Sequence, residues 1–308
     1  MKLRAYLLLT MVVAIWGATF VVVKGALDDA TPGLFNLVRM TISFAVLAVV
    51  YRGAWRGMTR RHLLAGAVVG FFLAMGYEFQ TIGLARTTPS KSAFITGLLV
   101  VLVPLLALIP GVRPKSMRPP AWNALFGALL AFVGIVLLTA PAVAGSTGLA
   151  AILPDFRSVN TGDWLTLGCS LGFALHCLAL SHTSAGVGFR KLAMLQIGFA
   201  ALFMLICLPM VEQPAIHWSS RLITALIVAA VLATAVAFSI QSWSQALLPP
   251  SHTALILTLE PVFAWLTSFL FFGERLGARQ GAGALLILAG IAATELLTPQ
   301  QVSTAHEA

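Results

Sequence analysis

The chain has 308 residues, of which 59% are hydrophobic and 9% are charged, whereas an ordinary soluble domain carries about 25% charged residues. Such a chain cannot cover itself with polar side chains, which excludes a water-soluble globular protein and favours one embedded in lipid. The net charge of +9 lies in short basic clusters between apolar runs, a distribution that indicates membrane orientation rather than nucleic-acid binding.

Ten runs are long and apolar enough to span a bilayer, which needs about 20 residues each. The first begins near the N-terminus and continues through Trp16 to Val23 without a small-residue cleavage pattern, so it is predicted to be a retained helix rather than a signal peptide. An all-α membrane protein is therefore predicted. Its helices are expected at 5–24, 33–51, 63–85, 92–110, 121–139, 163–182, 190–211, 221–247, 252–272 and 279–297.

The two halves of the chain repeat each other. "GALLAFVGI" at 127–135 and "GALLILAGI" at 283–291 match at six of nine positions, and "TPSKSA" at 88–93 aligns with "PPSHTA" at 249–254. The second match has a separation of 161, which also places Gln80 against Gln241. Near the starts of the halves, "AIWGAT" at 14–19 lies against "LGFALH" at 171–176, a separation of 157 that also places Arg39 against Gln196. Because each half holds five spans, the second enters the membrane from the opposite side, which gives the inverted repeat typical of secondary transporters. The predicted divisions are a first repeat at 1–140, a periplasmic linker at 141–162, a second repeat at 163–298 and a short cytoplasmic tail at 299–308.

Lysine and arginine counts predict the orientation. With the N-terminus inside, eleven of the 19 basic residues fall in cytoplasmic segments, seven in outer segments and Arg39 within a span. In the second half alone, more basic residues fall in outer segments than in cytoplasmic ones. The first helices usually decide the orientation of the whole chain, however. The prediction is a multi-pass protein with both termini inside.

Four ionisable residues lie well inside spans: Arg39, Glu78, His176 and Glu260. Each is costly in hydrocarbon and is by default a candidate for function. Arg39 either snorkels to the interface or grips a carboxylate, that of Glu78 or of a substrate. Glu78 is either a paired structural residue or, if unpaired, a proton carrier. His176 is either a packing residue or a ligand contact.

Glu260 precedes Pro261 in the middle of an apolar run. Proline frees the carbonyl of Leu257 and restricts Glu260 away from helical geometry, and irregular backbone at membrane depth is tolerated only inside protein or beside a wet cavity. The pair therefore predicts a kink that faces the interior, with a similar irregularity at Pro104 in the fourth span.

Neutral polar and aromatic side chains complete the candidate cavity. Glutamines are costly against lipid and are expected to face inward, whether to bind substrate or to join helices. With the ionisable residues, the predicted substrate-binding set is Trp16, Thr19, Arg39, Glu78, Gln80, His176, Gln196, Gln241, Trp243 and Glu260. The glycines of the two "GALL" stretches are interpreted as close helix packing. The three cysteines lack metal-ligand spacing, so no metal or cofactor is expected.

Four stretches carry a resemblance to a known family: "AIWGATFVVVK" in the first span, "NLVRMTISF" in the second, "TPSKSAFITGLLVVLVPLLAL" in the fourth and "LEPVFAWLTSFLFFGERL" in the ninth. Together they resemble the EamA-type, ten-helix branch of the drug/metabolite transporter superfamily, a plan shared by aromatic amino-acid exporters of the YddG kind. The resemblance implies an inverted five-plus-five fold, a bacterial inner-membrane location and export of amino acids or other small metabolites. It also suggests that Trp16, Lys24, Arg39 and Glu260 line a central cavity.

Three classes of function are compatible with these features. The first is a secondary transporter of a small-molecule substrate that works by alternating access, coupled to protons or acting as a facilitator of metabolites or drugs. The second is an intramembrane enzyme, which would need a nucleophile with a base or a metal cluster, and no HExxH or intramembrane aspartate pair is present. The GxSxG match at 168–172 lies within the predicted sixth span, not at the strand-to-helix turn that this motif needs. The third is an assembly protein. The spread of polar groups over both halves favours transport over assembly, and a monomer is compatible with it.

Overall fold

The computed structural model describes residues 2–113, 122–140, 155–183, 187–245, 256–257 and 259–296. Within these ranges the protein is built of helices, and the one extended pairing they contain is an isolated bridge between Ala30 and Ile216. The predicted all-α class is confirmed. Residues 141–154 of the predicted linker and the predicted tail lie outside the described residues.

The first half of the chain forms six described helices. Several begin at a threonine: Thr59 accepts a hydrogen bond from the His62 backbone N–H, and Thr31 and Thr88 each precede a proline in the first turn, all favourable helix starts. The helices are α1 (Lys2–Ala26), α2 (Pro32–Val50), α3 (Arg60–Arg86), α4 (Pro89–Thr96), α5 (Leu99–Leu106) and α6 (Trp122–Thr139).

The second half forms six more. A π-helical segment, Val228–Val236, joins α9 and α10 into one rod, and Gly273, with a φ of 65°, ends α11 in the left-handed conformation that glycine adopts without strain. The helices are α7 (Thr161–Thr183), α8 (Phe189–Val211), α9 (Ser220–Ile227), α10 (Ala237–Gln245), α11 (Glu260–Phe272) and α12 (Ala278–Leu296).

Seven helical stretches in the described part of the chain are long and apolar enough to cross a membrane. They match predicted spans one to four and six to eight. Shorter apolar helices occupy the places of the other three, at Leu125–Thr139, Glu260–Phe272 and Ala278–Ala293. The apolar segments follow one another in the predicted order. Within the described residues, the helix of the ninth span covers Glu260–Phe272, which is shorter than the predicted 252–272.

Two of the predicted spans are interrupted. The fourth breaks at Gly97 and Leu98 and restarts at Leu99, earlier in the chain than Pro104, which lies within α5. In the ninth, Leu259 is a turn and α11 begins at Glu260. Pro261 therefore stands in a first turn, where no intrahelical bond is lost. The irregularity predicted at Glu260 is thus a break in the span, after which α11 starts at Glu260.

Glycines bring helix backbones into contact, as the two "GALL" stretches predict. A methyl group on Gly134 would lie 2.7 Å from the Gly283 carbonyl oxygen, and one on Gly290 would lie 2.5 Å from that of Gly127. Since carbon atoms cannot approach oxygen so closely, α6 and α12 pack along a seam that only glycine permits.

The end of the bundle where α1 ends and α2 begins is termed the α1–α2 face. A buried apolar cluster that includes Phe20, Val23, Leu84 and Leu222 fills the space between the helices there. Lys24 Nζ donates hydrogen bonds to the carbonyls of Leu84, Ala85 and Thr87, at 2.7, 3.0 and 3.0 Å. A cation at the carboxyl end of α3 satisfies carbonyls that have no helical partner. Polar and apolar contacts together hold this face closed.

Candidate functional site

A cavity of about 580 Å³ lies between the helices of the two halves, within the size range of sites for small organic molecules. Phe20, Val23 and Leu84 belong both to its wall and to the apolar cluster, so the cavity ends beneath the closed α1–α2 face. In the other direction its wall includes Ser181, Val187 and Leu192, at the junction of α7 and α8.

Seven of the ten predicted site residues line this cavity. They are Trp16, Thr19, Arg39, Gln80, His176, Gln196 and Glu260. Gln241 and Trp243 lie on α10, and their side chains are outside the described residues. Glu78 is not on the wall, and Lys24 caps α3 instead of lining the cavity.

Arg39 is buried on the cavity wall, with 4% of its surface exposed, which does not fit the snorkelling interpretation. Its Nε donates to Thr234 Oγ1 at 3.1 Å, and Nη2 donates to the Tyr77 hydroxyl at 3.3 Å. The guanidinium carbon lies 4.5 Å from the centre of the Tyr77 ring, a cation–π distance. Among the described residues, Arg39 forms no ion pair.

The predicted pairing of Arg39 with Glu78 is absent from the ion pairs of the described residues. Glu78 Oε1 instead accepts a hydrogen bond from Asn36 Nδ2 at 3.3 Å, and the same amide nitrogen donates to the Tyr77 carbonyl at 3.1 Å. Asn36 Oδ1 in turn accepts from Thr81 Oγ1 at 2.9 Å. These contacts place Glu78 in a network that joins α2 to α3.

Glu260 reaches the cavity from the first residue of α11. Among the described residues its carboxylate has neither an ion pair nor a hydrogen bond. Gly17 of α1 packs on the same turn, because a methyl group there would lie 2.8 Å from the Glu260 carbonyl oxygen. The absence of a side chain at Gly17 therefore lets α1 pack closely on the backbone at the start of α11.

His176 and Gln196 form a buried pair on the wall. His176 Nε2 lies 2.9 Å from Gln196 Oε1, and because an amide oxygen only accepts, the ring nitrogen donates. The contact joins α7 to α8. Both interpretations of His176, packing residue and ligand contact, agree with this position.

The other predicted side chains are held in place by bonds to main chain or to neighbours. Trp16 Nε1 donates to the Ala233 carbonyl at 2.7 Å, Thr19 Oγ1 to that of Ile15 at 2.6 Å, and Gln80 Nε2 to Thr96 Oγ1 at 3.4 Å. Each leaves part of its side chain on the cavity wall.

Positions related by the sequence repeat face the same cavity. Pairs 157 residues apart on its wall are Trp16 and Phe173, Thr19 and His176, and Arg39 and Gln196; pairs 161 residues apart are Tyr77 and Phe238, Leu99 and Glu260, and Val100 and Pro261. The halves thus contribute matching positions with different chemistry.

Three residues outside the predicted set shape the site. Tyr77 and Thr234 hold the guanidinium of Arg39, and Phe173 lies on the wall and packs against Tyr77 with ring centres 5.2 Å apart. The repeat register could have identified Phe173, since it aligns with Trp16. A lone threonine in an alanine-rich run gave no comparable signal for Thr234. No group of three His, Cys, Asp or Glu residues that could hold a metal occurs in the described ranges.

The sequence profile of the EamA-like transporter family matches residues 3–140 and again residues 160–295. The chain belongs to the EamA-like transporter family. An archaeal relative from Archaeoglobus fulgidus, named an uncharacterized transporter, is 33% identical over 290 residues, which cover 94% of this chain and 85% of the relative. The uncharacterized transporter YvbV of Bacillus subtilis is 26% identical over 298 residues, or 94% of this chain and 91% of that one.

A protein of known crystal structure shares the fold of this family member. It superposes with a TM-score of 0.57 at 18% identity and covers 96% of this chain and 98% of its own. Family, relatives and apolar helices together make the chain a multi-pass membrane transporter of the EamA family. Such a protein has a small-molecule substrate and the lipid bilayer as its partners.

Proposed function

We propose that the protein is a secondary transporter that exports a small zwitterionic metabolite, an amino acid with an apolar or aromatic side chain, across the bacterial inner membrane. The proposed site is the cavity lined by Arg39 and Glu260. Gln241 and Trp243 on α10 are proposed to complete it. Glu78 is assigned a structural role because of its bonds to α2.

The observation that carries this proposal is the charge on the cavity wall. One guanidinium and one carboxylate face the same space, and neither has an ion pair among the described residues. Buried charges are costly unless they are paired. A zwitterion would supply both partners at once, its carboxylate to Arg39 and its ammonium to Glu260.

The remaining wall favours an apolar group between the two charges. Aromatic side chains from four helices line the cavity, namely Trp16, Phe20, Tyr77, Phe173 and Phe238. Such rings bury a large apolar surface and stack favourably on another ring. The lining therefore suits an amino acid whose side chain is apolar or aromatic better than one with a charged side chain.

Alternating access is the proposed mechanism. The two matches to the family profile support two five-helix repeats, 1–140 and 163–298, that we propose to be inverted and to move against each other around the cavity. The closed α1–α2 face and the wall that extends to Ser181 and Val187 then correspond to a state that is open toward the opposite face.

The charge at the two ends supports the proposed orientation. Arg52 and Arg56 lie between α2 and α3, and Arg60 and Arg61 begin α3 at the same end, while Asp28 and Asp29 lie on the α1–α2 face. Basic loops stay on the cytoplasmic side. We therefore place the α1–α2 face in the periplasm, both termini in the cytoplasm, and export toward the α1–α2 face driven by proton exchange at Glu260.

Uptake into proteoliposomes tests the proposal. Wild type, Arg39→Gln, Glu260→Gln and the surface control Arg86→Gln are reconstituted and offered radiolabelled amino acids, nucleosides and cationic dyes. Saturable uptake of apolar or aromatic amino acids by wild type and Arg86→Gln, with strong loss in the two cavity variants, is expected. Uptake of dyes or nucleosides alone, unaffected by Arg39→Gln, would instead support a facilitator of drugs or nucleosides, which the aromatic lining also favours.

A further inference from the structure

The rod formed by α9 and α10 contains a helical form that is rare in proteins. Val228–Val236 is π-helical over nine residues, whereas π-helices mostly occur as single turns and often mark functional sites. The segment packs against α1 and α2. The contacts that stabilise the backbone of this segment must therefore differ from those of an ordinary membrane helix.

Side chains from three elements hold the carbonyls of this segment. Trp16 Nε1 donates to the Ala233 carbonyl at 2.7 Å. The Ser43 hydroxyl is shared between two carbonyl oxygens, that of Ala230 at 2.9 Å and that of Arg39 in its own helix at 2.7 Å. Thr234 Oγ1 donates to the Ala229 carbonyl at 2.7 Å and accepts from Arg39 Nε at 3.1 Å. The donors from α1 and α2, together with the Thr234 hydroxyl of the segment itself, offset the cost of leaving the regular helical ladder.

The matching segment of the first half is an α-helix. In the 161-residue register, 228–236 corresponds to 67–75, which lies within the continuous helix α3. In the 157-residue register, the donors Trp16, Arg39 and Ser43 correspond to Phe173, Gln196 and Ala200. Phenylalanine and alanine have no polar hydrogen, and Gln196 is bonded to His176. The π form thus occurs where the donors are present.

We propose that this π segment is a conformational switch controlled by occupancy of the cavity. Trp16 and Arg39 lie on the cavity wall and also bind the segment. A substrate that recruits either side chain removes a donor, and the segment relaxes to an α-helix. The inference rests on the proposed function, because a transported substrate is what engages Arg39 and Trp16.

The relaxation would turn α10 about its axis, since π- and α-helices differ in residues per turn. Phe238, which lies on the cavity wall 5.6 Å from the Trp16 ring, moves with α10. The candidate residues Gln241 and Trp243 are on the same helix. A local change of helix type would therefore reshape the cavity when the substrate is bound.

Spin-label distances test this switch. In a variant with all three cysteines replaced, nitroxides are placed at Ile223 and Val236, which are 46% and 39% exposed, and their separation is measured by double electron–electron resonance. Ser43→Ala removes a donor away from the cavity wall, whereas Thr234→Val removes a donor and also the acceptor of the Arg39 Nε bond. Thr224→Val, on the exposed face of α9, is the matched control, and a label pair at Leu64 and Phe79 on α3 is the reference.

The expected result is a longer Ile223–Val236 distance in Thr234→Val and Ser43→Ala, because an α-helix rises farther per residue than a π-helix. Wild type should lengthen equally on addition of a mixture of proteinogenic L-amino acids, while Thr224→Val and the α3 pair stay unchanged. Unchanged distances in both donor variants would overturn the switch, even if uptake is saturable. A shift in the variants but none in wild type with an amino acid that it transports would overturn the coupling to the cavity. No uptake at all would overturn the proposed function and the substrate-driven step, and the donor variants would still decide what holds the π form.

Discussion

Leu99 and Glu260 occupy the same place in the two halves of the protein. They are 161 residues apart (99 and 260), each is the first residue of a helix that restarts after a break, and each follows a leucine at the cap, Leu98 or Leu259. Both side chains lie on the cavity wall. One half therefore presents an apolar group where the other presents a carboxylate, which suits an asymmetric substrate.

Glu260→Gln should remove the pH dependence of transport. The variant keeps the shape of the side chain but can neither release a proton nor pair with an ammonium group. We expect uptake at least about tenfold below wild type, as for loss of one hydrogen bond to a charged group, and insensitive to an imposed pH gradient. Uptake at several internal and external pH values provides the measurement. Glu212→Gln, on the α1–α2 face, should behave as wild type; a variant at Glu260 that still responds fully to the gradient would refute the proposed proton exchange.

Arg39→Lys and Arg39→Gln should weaken recognition of the carboxylate. Lysine keeps the charge but loses the planar set of donors that binds Tyr77, Thr234 and a carboxylate together. We expect a KM about tenfold higher for Arg39→Lys and a larger increase for Arg39→Gln. Competition between an amino acid and its amide measures the preference for a free carboxylate, which both variants should lose. Equal discrimination in wild type and Arg39→Gln would place the carboxylate elsewhere.

Gly17→Ala should destabilise the contact between α1 and α11. The added methyl group would meet Phe263 Cβ at 2.6 Å and the Ala264 nitrogen at 2.8 Å, and overpacking of this kind costs about 1–3 kcal/mol. Thermal unfolding in detergent should show a midpoint several degrees lower. Gly25→Ala, in the same helix with nothing within 4 Å, should be neutral or slightly stabilising; equal midpoints for the two variants would contradict the close approach.

The close contact between α6 and α12 leads to a similar prediction for Gly283. Gly283→Ala would place a methyl group 2.6 Å from the Gly134 carbonyl and 2.7 Å from the Leu138 nitrogen. Its unfolding midpoint should fall, while Gly281→Ala in the same helix, where nothing lies within 4 Å, should not lower it. If both tolerate alanine equally, the helices do not touch along this line.

Asp29, in the loop between α1 and α2, predicts a pH effect on stability. Its hydrogen bonds from Arg221 and Ser219 lower the pKa of the carboxyl group. A lowered pKa contributes stability above the ordinary value near 3.9, and this contribution is lost as the pH falls through the lowered value. Asp29→Asn should therefore lower the unfolding midpoint at neutral pH, with the difference from wild type closing in acid below about pH 4.

A matched comparison is available at Asp28, which also pairs with Arg221. Its side chain is 71% exposed, against 17% for Asp29, and exposed pairs contribute little. Asp28→Asn should shift the midpoint less than Asp29→Asn at neutral pH. A constant offset of Asp29→Asn from wild type at all pH values would contradict the account.

The positions of the helices could be predicted because the apolar runs end at strong signals. Thr31–Pro32 and Thr88–Pro89 start helices as such pairs do, and Gly273 ends one. The break at Gly97 and Leu98 was not predicted, because "ITGLLVV" has neither a charge nor a proline and a single glycine is common in membrane helices. In the structure Pro261 packs at this position, 3.4 Å from a methyl group placed on Gly97.

The sequence predicts which residues line the candidate site better than it predicts which of them bond to each other. Inward-facing polar residues had to line a shared space, since lipid offers them no partner, and seven of them do. Of the two carboxylate partners left open for Arg39, Glu78 and a substrate, Glu78 does not pair with it: adjacent positions on a helix point about 100° apart, so Tyr77 reaches the guanidinium while Glu78 bonds Asn36. The π segment had no signal, because its alanine-rich sequence is equally compatible with an α-helix.

The most direct test of the cavity as the transport path is a blocking experiment at Thr19, which lies on its wall. Thr19→Cys, in a protein whose native cysteines are replaced, is treated with a bulky methanethiosulfonate, and amino-acid uptake into proteoliposomes is measured before and after. The account predicts that modification abolishes uptake, that a reducing agent restores it, and that the same treatment of Thr224→Cys on α9 has no effect. Full uptake by the modified Thr19→Cys protein would show that substrate does not pass between these helices.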